Sequence, residues 1–272
     1  MRHDLGSIQQ FAVALSHSAG AVLLEHGGVL PMERVELKGR RDPVTAADLA
    51  AERHIVAAIR ERFPEHNIFA EEETRETVDG LTWYVDPLDG TVNFSQGHPF
   101  FSVSIALYDG TEPLVGVVHA PRLGETFSAH RGGGCTLDEI PRRVSAKTEL
   151  IDAVLATGFA YKRDELPDSN VEHFADLILR VRGIRRGGSA ALDLAFTSVG
   201  RLDGYWEPHL NAFDMAAGAL LVREAGGTVT DMAGGDTWLH GRTIVASNPA
   251  LHGLIVDALD TPDVSAITGE PS

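Results

Sequence analysis

The chain is 272 residues long, with 43% hydrophobic and 23% charged residues, enough to bury one large core or two fused ones. Its 23 basic residues face 39 acidic ones for a net charge of −16, which on average repels duplex nucleic acid and anionic lipid. No apolar run reaches the roughly 20 residues of a membrane span, the first residues lack a secretory layout, and the single cysteine, Cys135, excludes an internal disulfide, so a cytoplasmic protein with no nucleic-acid or membrane partner is expected.

Residues 4–26 read as an amphipathic helix, with Leu5, Ile8, Phe11, Val13, Leu15, Val22 and Leu23 forming a broad apolar face and Gly27-Gly28 ending it. Residues 33–43 are polar and basic, a mobile loop or a hairpin. A second helix runs from about Thr45 to Phe63 and stops at Pro64; Thr45 and Asp48 have the spacing of a capping box. Strands follow at Asn67–Ala70 and Leu81–Val85. Phe101–Tyr108 and Leu114–Ala120 pair as a hairpin around Asp109-Gly110, Glu125–His130 adds a strand, and Arg131–Gly134 is a turn without dinucleotide-binding spacing.

In the second half, strands at Val154–Thr157, Gly204–Glu207 and Thr243–Ser247 alternate with helices at Val171–Arg182, Ala190–Val199, Asn211–Ala225 and Pro249–Leu259. Mixed order early and βα alternation late predict a layered α/β sandwich. One domain is expected over residues 1–262, with an α+β half to about 145 and an α/β half from about 146; residues 263–272 read as a loose tail.

The chemistry concentrates in residues 83–94, Trp-Tyr-Val-Asp-Pro-Leu-Asp-Gly-Thr-Val-Asn-Phe. An apolar strand runs into two aspartates, Asp86 and Asp89, at its carboxyl end, where open α/β sheets place ligands. Carboxylates are the hard oxygen ligands that Mg²⁺ prefers, and a helix opening at Gly90-Thr91 would aim unpaired N–H groups at an anion. Asp-Pro and Asp-Gly also favour plain surface turns.

Other residues carry the same double reading. Glu71, first past the strand at Asn67–Ala70, either belongs to a solvated acidic loop or shares a cation with Asp86. Asp214 and Asp48 either cap their helices or act at the site as well. Thr91 is a helix-start hydroxyl or a partner of a catalytic water. Glu207 is a solvated strand end or a ligand for substrate hydroxyls. Gly187-Gly188-Ser189-Ala190-Ala191 is a packed helix start or open backbone facing a polyol. No Walker loop, Gly-x-Ser-x-Gly elbow or His-Glu-x-x-His is present, and the 12 histidines show no zinc spacing.

Together these segments resemble the inositol monophosphatase family from about residue 5 to 260. The signatures are Trp83-x-Val85-Asp86-Pro87-Leu88-Asp89-Gly90-Thr91-x-Asn93-Phe94, then Asp214-Met-Ala-Ala-Gly218 with Glu224-Ala-Gly-Gly227, preceded by Ala70-Glu71-Glu72 and Pro43-Val-Thr-Ala-Ala-Asp48. The resemblance implies an αβαβα sandwich, two to three Mg²⁺ ions (Mn²⁺ as a substitute), sensitivity to lithium and a homodimer. It implies Glu71, Asp86 and the Leu88 carbonyl as ligands of one ion, and Asp86, Asp89 and Asp214 as ligands of a second. Glu71 would also touch a third. It gives Thr91 and Asp48 the attacking water, Gly90 and Thr91 the phosphate, and Glu207, Gly188, Ser189 and Ala190 the substrate hydroxyls.

Three departures bear on the substrate: Phe213 where the family usually has Trp, Pro208-His209 after Glu207, and the basic loop Lys38–Arg41. The implied reaction is Mg²⁺-dependent hydrolysis of a small phosphorylated polyol, inositol monophosphate first. Histidinol phosphate, fructose 1,6-bisphosphate and 3′-phosphoadenosine nucleotides are alternatives, and a non-catalytic metal-dependent binding protein is the alternative of another class.

Overall fold

Helix α1 (Leu5–His26) begins at Asp4, whose carboxylate accepts the Ser7 N–H at 3.3 Å. Helix α2 (Ala46–Arg62) begins at Thr45, and the Thr45–Asp48 capping box is formed. The structure, a computed structural model, describes residues 4–27, 35–39, 42–76, 80–166 and 168–262. The tail at 263–272, and Arg40 and Arg41 of the basic loop, lie outside them. The loop-or-hairpin alternative resolves to a hairpin, β1 (Val35–Gly39) antiparallel to β2 (Asp42–Thr45).

Seven strands form the larger sheet, in chain order: β3 (Asn67–Ala70), β4 (Leu81–Asp89), β5 (Ser102–Asp109), β6 (Glu112–Ala120), β7 (Glu125–His130), β8 (Gly134–Leu137) and β9 (Ile140–Arg142). Only β3 and β4 are parallel. Successive side chains of a strand point to opposite faces. Trp83, Val85, Val103, Ile105 and Leu107 therefore pack with α1 and α2, while Tyr84, Ala106 and Tyr108 pack on the other side. Both faces are covered, which is why β5 and β6 are buried almost throughout.

The other face meets two helices, α5 (Ala190–Ser198) and α6 (Ala212–Glu224). Gly218 lets them touch: a Cβ there would lie 2.4 Å from the Leu194 Cβ. Beyond these helices is a smaller sheet of β10 (Val154–Thr157), β11 (Gly183–Arg185), β12 (Gly204–Pro208), β13 (Thr228–Thr230) and β14 (Thr243–Ser247), in spatial order β11-β10-β12-β14-β13. Its inner face, with Ala156, Tyr205 and Ala246, joins the same core. Its outer face, with Leu155, Trp206 and Val245, is covered by α4 (Val171–Arg180) and α8 (Pro249–Asp260). The layers run α1/α2, large sheet, α5/α6, small sheet, α4/α8, the αβαβα sandwich.

Two features differ from the sequence reading. The strand at Leu81–Val85 continues to Asp89, because pairing with β5 resumes at Asp89↔Ser102 after a bulge past Asp86. β8, β9, β11, β13 and the four-residue α7 (Trp238–Gly241) are present beyond the elements expected from the sequence.

Candidate active site

Register sets the first pair of acids. β3 and β4 are parallel with Ala70 opposite Val85, so Glu71 and Asp86 are neighbours at the carboxyl ends of their strands. The Glu71 N–H donates to the Val85 carbonyl at 3.1 Å. Pro87 cannot donate to the sheet, and the chain bulges there. An Asp86 oxygen accepts the Leu88 N–H at 3.0 Å within the bulge. Gly90, at φ 97, then turns the strand into the short helix α3 (Thr91–Ser95).

Thr91 and Asp48 meet behind this bend. Asp48 spends Oδ2 on its helix cap, accepting the Thr45 N–H at 2.8 Å and the Thr45 hydroxyl at 2.5 Å. Its Oδ1 faces the Thr91 hydroxyl at 3.1 Å, and that hydroxyl lies equally far from the Leu88 carbonyl oxygen. Capping and a contact at the site are thus both realised. Asp48 is fully buried; burial pushes its pKa up to about 6, against the pull of the Thr45 bonds.

Asp89 grips the start of α5: Oδ2 accepts the Ser189 hydroxyl at 2.6 Å and the Ala191 N–H at 2.7 Å, and Oδ1 accepts the Ala190 N–H at 3.3 Å. Ser189 and Ala190, which the sequence reading opens toward a polyol, are bonded to Asp89 in this structure. Burial still outweighs these bonds and raises Asp89 to about 6. Asp214 stands in the first turn of α6 and accepts the Asn211 N–H at 2.6 Å. The turn is tied to the large sheet by the Ser104 hydroxyl, which donates to the Phe213 carbonyl at 3.3 Å. Phe213, one of the departures, stacks on Phe69 at 6.0 Å.

Glu71, Asp86, Leu88, Asp89, Gly90, Gly188, Ser189, Ala190, Glu207 and Asp214 all line one cavity of about 900 Å³, and Asp48 and Thr91 stand behind its wall. Burial, then the neighbouring charges of Glu71, Asp89 and Asp214, hold Asp86 well above the usual carboxylate range. Burial and Glu71 do the same to Asp214. Four acids that repel one another in one cavity, with a backbone carbonyl beside them, are the donor set of a hard divalent cation. The residues fit Mg²⁺. Among the described residues no three side-chain donors converge on one point, and Asp89 and Asp214 accept backbone N–H groups.

The same cavity holds a second acidic group, Glu207 with Asp193. Burial raises Glu207 to about 7, and it accepts the Tyr205 hydroxyl. Beside it is Asp193, which the sequence reading missed: it is buried and held well above its ordinary pKa by burial, then by Glu207 and Asp89. A lone acid inside the apolar run Ala190–Val199 was the available signal. Asn93, quoted in the motif but given no role, ties α3 to the segment before α5 by donating to the Phe100 carbonyl at 2.6 Å and the Gly187 carbonyl at 2.9 Å. Lys162, Arg163, Arg186 and Arg242 line the same cavity, with His209. His209 keeps a left-handed backbone at φ 66, and its ring lies 2.9 Å from the Asp168 carbonyl.

Comparison with known proteins gives the family. A sequence profile described as the inositol monophosphatase family matches residues 4–262. An inositol-1-monophosphatase of Mesorhizobium japonicum is 38% identical over 254 residues, covering 92% of this chain and 95% of the relative. The Nus factor SuhB of Escherichia coli is 40% identical over 240 residues, covering 88% and 90%. The solved inositol monophosphatase of Anabaena superposes with a TM-score of 0.88 at 38% identity, covering 97% of this chain and 100% of that one. Profile, relatives and fold agree across nearly the whole length, and the chain belongs to the inositol monophosphatase family, a family of metal-dependent phosphatases.

Proposed function

We propose that this protein is a Mg²⁺-dependent phosphomonoesterase that hydrolyses inositol monophosphate to inositol and phosphate, with water as the nucleophile. The observation that carries this reading is the meeting of Glu71, Asp86, Asp89 and Asp214 in one cavity, backed by the Thr91–Asp48 pair. Glu71, Asp86 and the Leu88 carbonyl would hold one Mg²⁺; Asp86, Asp89 and Asp214 would hold a second, and Glu71 would contact a third. Mn²⁺ satisfies the same donors. When bound, the ions neutralise charge on the phosphoryl group and acidify a water.

The remaining steps belong to the chain. Thr91 orients the attacking water and passes its proton to Asp48, whose raised pKa of about 6 makes it a base poised near neutrality. The N–H groups of Gly90 and Thr91 face the phosphate. Glu207 accepts from the polyol hydroxyls, and the Gly188–Ala190 backbone walls the ring. No covalent intermediate with the protein is required. A homodimer, Li⁺ inhibition and a cytoplasmic location remain part of this proposal.

The four cations that line the cavity favour a second reading, the same chemistry on a substrate with another anionic group, such as fructose 1,6-bisphosphate or a 3′-phosphoadenosine nucleotide. Phosphate release with Mg²⁺ from those two esters, histidinol phosphate and myo-inositol 1-phosphate tests both. Highest kcat/KM on myo-inositol 1-phosphate supports the first reading, and highest on a two-anion ester supports the second. Release from none of the four would move the assignment to a non-catalytic binding role.

A further inference from the structure

The loop that carries Glu71 is held by an acid outside the cavity. Residues 71–74 reverse tightly after β3, and the Ala70 N–H donates to the Thr74 carbonyl at 2.7 Å. The reversal leaves three consecutive N–H groups pointing inward. All three donate to one side chain, Glu52 of α2: Glu72 N–H to Oε2 at 2.6 Å, and Glu73 and Thr74 N–H to Oε1 at 2.8 Å each. Glu52 is fully buried. A buried carboxylate is costly unless its oxygens are satisfied, and a concave run of backbone N–H groups satisfies them as it would an anion.

The backbone of Glu71 is fixed on both sides. Its N–H reaches the Val85 carbonyl at 3.1 Å, and its carbonyl accepts from the Arg75 guanidinium at 2.8 Å. Glu52 lies four residues after Asp48, so one face of α2 presents Asp48 to Thr91 and Glu52 to this loop. A single rigid helix therefore sets the spacing between the proton acceptor and the Glu71 loop.

We infer that Glu52 is a positioning residue for metal binding: its three bonds fold the 71–74 loop in advance, so that Glu71 already faces Asp86 before a cation arrives. The inference rests on the reading of Glu71 as a Mg²⁺ ligand. Glu52→Gln keeps the shape, but it turns one acceptor into a donor that faces N–H groups.

The test is Mg²⁺ titration by calorimetry together with amide hydrogen exchange in Mg²⁺-free protein. In Glu52→Gln the amides of Glu72, Glu73 and Thr74 should exchange at least about tenfold faster, and Mg²⁺ affinity should fall about 10–100-fold, the usual cost of losing an outer partner of a metal site. Arg53→Ala, which removes an exposed ion pair to Glu73 on the same loop, should leave Mg²⁺ affinity unchanged. Wild-type affinity in Glu52→Gln, or an equal loss in Arg53→Ala, would overturn the inference. If Glu52→Gln does not fold, wild-type protein decides: protection of the three amides without Mg²⁺ supports the clamp, and free-loop exchange overturns it. A wild type that binds no Mg²⁺ defeats the metal reading instead, and the exchange rates still judge the clamp.

Discussion

Asp48→Asn should end phosphate release and yet make the metal-free protein more stable at neutral pH. Folding raises the Asp48 pKa from 3.8 to about 6, chiefly because burial disfavours the charge. A rise of about two units at 1.36 kcal/mol each is ~3 kcal/mol. Below pH 3.8 the group is protonated in the folded and unfolded chain and contributes nothing. Above about 6 it is ionised in both, and the full cost of the buried charge is present, so wild-type stability declines as pH climbs between these values. Asparagine does not titrate. It weakens the Thr45 cap by about 1 kcal/mol, a loss that does not vary with pH. Urea denaturation of both proteins in EDTA, from about pH 4 to about pH 7, should show the stability difference moving toward the variant by ~3 kcal/mol. A difference that stays flat with pH would refute the buried-charge reasoning.

Two other perturbations reach Glu207 and the core. Glu207, raised to about 7 by burial, passes from mostly protonated to mostly ionised as pH rises through neutrality; KM for the polyol phosphate should fall over that range, and Glu207→Gln should flatten the profile, whereas an unaltered profile in the variant would remove Glu207 from substrate recognition. Gly218→Ala places a methyl 2.4 Å from the Leu194 Cβ and should cost about 1–3 kcal/mol by urea denaturation, whereas wild-type stability would contradict the close α5–α6 contact.

The order of elements was legible because its signals are local. The Thr45–Asp48 cap, the Asn67–Ala70 strand and the strand entering Asp86 each depend on residues a few positions apart. Parallel pairing of two such strands then suffices to put Glu71 beside Asp86. What stayed hidden is long-range. Asp89 bonds to Ser189 and Ala191, about one hundred residues away, and nothing near Asp89 announces this partner. Glu52 in α2 looks like any charged helix residue until the 71–74 reversal folds onto it. Asp193 is visible as an oddity, but its neighbours Glu207 and Asp89 come from distant segments. The strand break read at Asp86-Pro87 is a bulge, because β5 supplies a partner again at Ser102.

Calorimetric titration of Mg²⁺ into wild-type and Asp86→Asn protein, repeated in buffers of different ionisation enthalpy, bears most directly on the acid cluster as a cation site. Burial, then the neighbouring charges, raises Asp86 and Asp214 well above the usual carboxylate range, and Mg²⁺ favours their ionised form, so binding to the wild type should release protons into the buffer. Asp86→Asn should lose most of the affinity and much of the proton release. Equal Mg²⁺ binding by the two proteins, or none by the wild type, would contradict a metal centre built on Glu71, Asp86, Asp89 and Asp214.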